Sequence, residues 1–86
     1  MKSLMDLYCE LSVEEGIQLG DFVERIKAGE FGARARVELV AFLRQLEDEM
    51  LLNIEDRIAE TPHLESERER RIAGVHARIQ KLVDGL

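Results

Sequence analysis

The sequence predicts an all-α protein, a small bundle of three to four helices organised on one long central helix. Hydrophobic residues make up 45% of the 86 residues, which is enough for a folded core. Apolar residues recur at steps of three and four, which is the period of an amphipathic helix rather than that of a strand. The only proline is Pro62. Length and composition therefore favour a single helical domain over residues 1–86.

The strongest helical pattern covers residues 33–60. Its main apolar face is formed by residues three and four positions apart: Leu39, Phe42, Leu43, Leu46, Met50 and Ile54. At about 1.5 Å per residue, a helix of this length spans roughly 40 Å. Because no other segment is as long or as regular, we expect the remaining helices to pack against this one.

The segment before the long helix predicts two or three shorter helices. Four apolar residues share one face of a helix over residues 4–11: Leu4, Leu7, Tyr8 and Leu11. The capping box formed by residues 12–15 predicts a new helix that begins at Ser12. Gly16 and Gly20 interrupt the apolar pattern that follows. Two alternatives result: one helix over residues 13–28, or two short helices that meet at Gly20.

Turn residues define both ends of the long helix. Gly29 is typical of the left-handed position after a helix, and residues 30–32 are predicted to form the turn into the long helix. Thr61 ends that helix because a residue before proline avoids the helical conformation. The last helix begins either at Pro62 or at the capping box of residues 66–69. Its apolar stripe consists of Ile72, Val75, His76, Ile79, Leu82 and Val83.

Charge and cysteine content narrow the range of partners. The formal net charge is −6, whereas nucleic-acid binders and proteins of anionic membrane surfaces are usually basic. No apolar run reaches the roughly 18 residues of a membrane span, and the first residues do not resemble a signal peptide. Cys9 is the single cysteine and has no partner for an internal disulfide. We therefore expect a cytoplasmic protein.

Leu51 and Leu52 leave the main apolar face of the long helix, and Val40 and Ile58 widen that face toward Leu51. The predicted interface consists of these four residues. A helix that is apolar on two sides is either buried between layers or carries an interface. Both interpretations stay open: neighbouring helices of the same chain cover these residues, or the residues form a surface for a dimer or another partner.

Acidic residues concentrate in the second half of the long helix. The predicted acidic surface consists of Glu47, Asp48, Glu49, Glu55 and Asp56. Such a run is usually a solvated face, and the arginines at positions 68, 70 and 71 could neutralise part of it. The alternative is an inhibitor whose carboxylates imitate a nucleic-acid backbone and block a nucleic-acid-binding partner.

Residues 12–28 faintly resemble a helix-turn-helix motif. Gly16 lies where that motif has a small residue, Gly20 would lie in the turn, and Ile26 would lie on the second helix. The resemblance implies a weak DNA-binding regulator. The region is acidic overall, however, whereas recognition elements are usually basic, so nucleic acid is a poor candidate for the partner.

No pattern of catalytic, cofactor-binding or metal-ligating residues is present. Cys9, His63 and His76 fall on three different predicted segments, and none has a partner at motif spacing. Cys9 has apolar neighbours and is expected to be a small core residue. We therefore predict a non-enzymatic protein without cofactors, acting by protein–protein interaction as a regulator, adaptor or chaperone-like protein. Its expected partners are a second copy of itself and an unidentified protein.

Overall fold

A computed structural model describes residues 3–86 and confirms the all-α prediction. Its four α-helices are α1 (Leu4–Glu15), α2 (Leu19–Lys27), α3 (Ala33–Glu60) and α4 (Arg68–Asp84). A 3₁₀ segment, Pro62–Glu67, joins α3 to α4. The described range is 86% helical and contains no strand. None of its helices combines the length and apolar character needed to cross a bilayer.

Helix α1 is longer than the pattern predicted, and the capping box at Ser12 was wrong. The hydroxyl oxygen of Ser3 accepts a hydrogen bond from the Asp6 amide at 3.1 Å and caps the start of α1. Ser12 lies inside the helix, where its carbonyl accepts a bond from the Gly16 amide at 3.1 Å. Gly16 ends the helix with φ of 64°, a left-handed conformation that glycine adopts without steric cost.

The break between α1 and α2 lies at residues 16–18, so both alternatives for residues 13–28 were wrong. Helix α2 begins at Leu19, and Gly20 lies within its first turn. The turn of the suggested helix-turn-helix motif was placed at Gly20 and is therefore also wrong. Gly16, not Gly20, takes the positive φ that interrupts the helix.

The predicted turn before α3 is confirmed, and an arginine holds it in place. Gly29 and Gly32 have φ of 84° and 91°, and Phe31 lies between them. The Arg25 guanidinium donates two hydrogen bonds of 2.8 Å to the Glu30 carboxylate and lies 5.5 Å from the centre of the Phe31 ring. This two-pronged geometry orients the carboxylate as well as attracting it.

The chain forms two compact units, and the boundary between them falls within α3. The first unit contains the residues up to Phe42 together with Leu86. Its buried apolar residues are Leu4, Leu19, Phe22, Val23, Ile26, Ala35, Leu39 and Phe42. Phe22 lies at the centre of an aromatic cluster, with ring-centre distances of 5.3 Å to Tyr8, 5.6 Å to Phe31 and 5.5 Å to Phe42.

The second unit, Leu43–Gly85, is an antiparallel pair of helices. Three side-chain hydrogen bonds join the part of α3 in this unit to α4: Glu55 with Arg68, Glu47 with His76, and Arg44 with Gln80. Positions rise along α4 as they fall along α3, which is the order of two antiparallel helices. The buried residues of this unit are Leu43, Leu46, Glu47, Ile58 and Ile79.

The connection before α4 follows only one of the two predicted starting points. Pro62 begins the 3₁₀ segment, as a proline at a first-turn position can, and the α-helix itself begins at Arg68. Glu67 precedes α4 without a capping hydrogen bond from its side chain. The capping box at residues 66–69 is therefore not formed.

Candidate interaction surface

The four predicted interface residues differ in exposure. Leu52 is 59% exposed and Val40 is also exposed, whereas Leu51 is half-buried. Ile58 is only 8% exposed. Val40 and Leu52 are thus directly accessible to a partner, and Ile58 contributes to the core of the second unit.

An open groove lies at the start of α3, within the first unit. Its volume is about 520 Å³, and its lining includes Lys27, Ala33, Arg36, Val37, Val40 and Leu86. Val37 is 82% exposed, and Val40 and Leu86 are exposed beside it. Apolar side chains therefore form much of the groove, and two cations lie at its rim.

The sequence patterns had missed Val37, Arg36 and Leu86. Val37 lies off both apolar stripes of the long helix, but it is three residues before Val40 and four before Ala41. Residues at those spacings are neighbours on a helix surface, so this patch could have been found from the sequence. The position of Leu86 beside it depends on tertiary structure.

Only one of the two cations of the groove is paired with a carboxylate within residues 3–86. Lys27 Nζ lies 3.3 Å from a carboxylate oxygen of Glu24. Arg36 is exposed and has no ion-pair partner in that range. An exposed cation beside apolar side chains favours a ligand that combines an apolar group with negative charge.

Leu52, in the second unit, is surrounded by acidic rather than basic residues. Its four neighbours one turn away along α3 are all acidic: Asp48, Glu49, Glu55 and Asp56. Glu55 is bound to Arg68, with a shortest distance of 2.7 Å. The other three are exposed and have no ion-pair partner in the part of the chain that the structure describes. Leu52 is therefore an exposed apolar side chain bordered by free carboxylates.

Glu47 was predicted on the acidic surface but is only 8% exposed. His76 Nδ1 donates a hydrogen bond of 2.9 Å to one carboxylate oxygen, and Arg44 Nη1 lies 3.4 Å from the other. The hydrogen bond from His76, followed by the charge of Arg44, lowers the pKa of Glu47 below its ordinary range. Glu47 therefore joins α3 to α4 and does not belong to the exposed acidic surface.

The arginines at the start of α4 neutralise only part of the acidic charge. Arg68 pairs with Glu55 and, at 3.7 Å, with Glu65. Arg71 and Arg70 bind Glu67 at 3.1 and 2.7 Å, and the hydrogen bond from Arg71 is the main cause of the lowered pKa of Glu67. None of these arginines reaches the three free carboxylates around Leu52 within ion-pairing distance.

The residues considered for chemistry lie on separate elements. Cys9 is exposed on α1, so its predicted place in the core was wrong. His63 is exposed in the 3₁₀ segment, and His76 on α4 is bound to Glu47. Among residues 3–86, no three side chains of the His, Cys, Asp and Glu types are grouped as metal ligands would be.

No protein-family model, curated protein sequence or solved structure matches this chain. We therefore infer its function from two exposed apolar surfaces on α3. One is the groove beside Val37, and the other is Leu52 with its acidic neighbours.

Proposed function

We propose that this chain is a non-enzymatic interaction protein that associates with a second copy of itself. As a regulator, adaptor or chaperone-like protein, it would also bind another protein. The observation that supports this most is the exposure of Val37, Val40 and Leu52 on α3, a helix that also supplies core residues to both units. A contiguous exposed apolar patch, such as the one that Val37 and Val40 form with Leu86, is a common mark of an interaction site.

Association also offsets a weakness of a short chain. A domain of this size buries only about 60–65% of the surface that its unfolded chain exposes. Burying one more valine or leucine side chain contributes roughly 1.5–3 kcal/mol before the entropic cost of association. Covering the two apolar surfaces on α3 would therefore stabilise the fold and the complex together.

The absence of catalysis in this proposal follows from the placement of the reactive side chains. A catalytic site needs polar groups that converge in a concave, partly dry pocket. Cys9 and His63 are exposed on different elements, and the imidazole of His76 is already bonded to a structural carboxylate. The cytoplasmic location expected from the single cysteine is part of the same proposal.

The self-association is tested by measuring mass against concentration in sedimentation equilibrium. We expect the mass to rise with concentration. Leu52→Glu should weaken the association at least about tenfold, because a carboxylate would replace an apolar side chain that the proposed interface buries. Val13→Glu is the matched control, since Val13 is also apolar and exposed but lies on α1. An unmodified chain that keeps the mass of one copy at all concentrations would contradict the proposal.

A second candidate function is the acidic inhibitor that mimics nucleic acid. It is favoured by the three exposed carboxylates without an ion-pair partner among the described residues: Asp48, Glu49 and Asp56. A mimic would keep its partner when Leu52 is replaced and lose it when these three acids are reversed to lysine. Its binding would also weaken steeply as salt rises, because salt screens interactions between exposed charges.

A further inference from the structure

We propose that the self-association joins two different surfaces of the chain: the groove of the first unit in one copy receives Leu52 of a second copy. The acids that border Leu52 would then pair with Arg36 at the rim of the groove. This inference rests on the proposed self-association and names the two surfaces that meet.

The groove has the features of a receptor for an apolar side chain with negative charge around it. Val37, Val40 and Leu86 present exposed apolar atoms, and Leu39 forms a buried part of the lining. The volume of about 520 Å³ lies in the range of roughly 300–1,000 Å³ typical of binding pockets. The groove therefore has room for a leucine side chain.

The rim charge of the groove is available for an intermolecular contact. Arg36 is exposed and has no ion-pair partner between residues 3 and 86, so a carboxylate from another molecule need not displace an internal one. A planar guanidinium can donate hydrogen bonds to both oxygens of such a carboxylate. Lys27, which already contacts Glu24, adds positive charge to the same rim.

The surroundings of Leu52 complement this groove in chemistry and charge. Leu52 projects from α3 with 59% of its surface exposed. Asp48, Glu49 and Asp56 lie one helical turn away and have no cation within ion-pairing distance in the described range. An apolar side chain at the centre of a charged border is the usual arrangement of an interface anchor and its rim.

Charge complementarity favours a second copy as the occupant of the groove. The same chain carries a cation-bordered groove and an acid-bordered leucine, and two copies of a protein with net charge −6 repel unless opposite charges meet. Groove-to-leucine contact brings those opposite charges together. A reciprocal pair of such contacts closes a dimer, whereas a single contact per pair extends into longer assemblies.

Two charge reversals test the contact, one on each side of it. Arg36→Glu places a carboxylate at the rim of the groove, and Asp56→Lys places an ammonium group beside Leu52. Both side chains are exposed and have no ion-pair partner within residues 3–86, so both variants are expected to fold, which far-ultraviolet circular dichroism of the full chain checks. Like charges would then meet in each variant alone, and each should associate about tenfold more weakly than the unmodified chain.

Mixing the two variants should restore association. In the mixture, the carboxylate introduced at the groove of one variant meets the ammonium group introduced beside Leu52 of the other. The second contact of the pair joins the unchanged Arg36 to the unchanged Asp56. We expect the dissociation constant of the equimolar mixture, measured by sedimentation, to return to within about threefold of the unmodified value. Recovery identifies the groove and the Leu52 surface as the two faces of one contact.

The controls distinguish a failure of the groove-to-leucine contact from a failure of the proposed self-association. Lys81→Glu and Glu14→Lys reverse exposed charges on α4 and α1 and should leave association unchanged, alone or mixed. If the unmodified chain associates but the mixture stays as weak as the single variants, the groove-to-leucine contact is wrong and self-association stands. If the unmodified chain is a monomer throughout, self-association itself is wrong.

Discussion

The pairing of Glu47 with His76 shows how a single residue can leave the surface to which its sequence neighbours belong. Asp48 and Glu49 are exposed, while Glu47 faces α4 and is bound there. Its partner lies 29 residues further along the chain. The periodicity of α3 places Glu47 beside the apolar face and one turn from Arg44, but only the antiparallel arrangement with α4 adds the hydrogen bond from His76 that favours its burial.

This pairing predicts a stability that depends on pH. The folded-state pKa of Glu47 is lowered by His76 and then Arg44, so ionised Glu47 stabilises the fold above its ordinary carboxyl pKa of about 4.3. That contribution is lost as pH falls through the lower folded-state value. Glu47→Gln should therefore lower the melting temperature at pH 7, and the difference from the unmodified chain should disappear in strong acid.

The control for this measurement is Glu49→Gln, which removes an exposed carboxylate without an ion-pair partner among the described residues. It should leave the melting temperature nearly unchanged at every pH. A Glu47→Gln variant that melts like the unmodified chain at pH 7 would mean that the bond to His76 contributes nothing to stability.

Cys9 was predicted in the core and is exposed, whereas Glu47 was predicted on the surface and is buried. The expected burial of Cys9 was inferred from Leu7 and Leu11 on either side, but residues two positions apart on a helix point in different directions. Leu4 is buried and Leu7, Tyr8 and Leu11 are half-buried, so the apolar face of α1 was correct. Cys9 lies outside that face, and helical spacing alone would have placed it in solvent.

At the scale of the helices, the boundaries marked by one strong sequence signal were predicted correctly. The boundary with two competing signals was not. The bounds of α3 follow from the turn that ends at Gly32 and from Thr61 before Pro62, where no rival signal exists. Between α1 and α2, a capping box at residues 12–15 competed with Gly16. The glycine prevailed because its positive φ lets its amide satisfy the last carbonyl groups of α1, whereas a cap at Ser12 would have broken the helix earlier.

The two glycines Gly16 and Gly74 should respond in opposite ways to replacement by alanine. A β-carbon at Gly16 meets no atom within 4 Å, but φ there is +64°, and alanine in that conformation costs about 1–2 kcal/mol. Gly74 lies inside α4, also with free space around it, and alanine there should stabilise by roughly 0.5–1 kcal/mol. Urea unfolding of both variants measures these changes, and a Gly16→Ala variant as stable as the unmodified chain would contradict the assignment.

At the scale of the whole molecule, composition and periodicity were sufficient for the fold class but not for the groove beside Val37. The long apolar stripe of α3 predicted its buried face, and Leu39, Phe42, Leu43 and Leu46 are indeed buried. The groove was not predictable in the same way, because Leu86 joins the surface beside Val37 only after folding. The acids around Leu52 were visible as a cluster, but which of them stay free depends on where the arginines of α4 reach.

The aromatic residues, which absorb in the near ultraviolet, all lie in the first unit. All four aromatic residues, the single tyrosine Tyr8 and the three phenylalanines, belong to that unit, and the sequence contains no tryptophan. Near-ultraviolet signals therefore report on the first unit, while the far-ultraviolet helix signal reports on both. If the chain is the single domain that its length predicts, the near- and far-ultraviolet signals should change at the same urea concentration. If the helix signal instead falls in part while the near-ultraviolet signal of Tyr8 persists, the second unit unfolds by itself. The protein thus carries an intrinsic, label-free probe confined to the half of the chain that contains the groove.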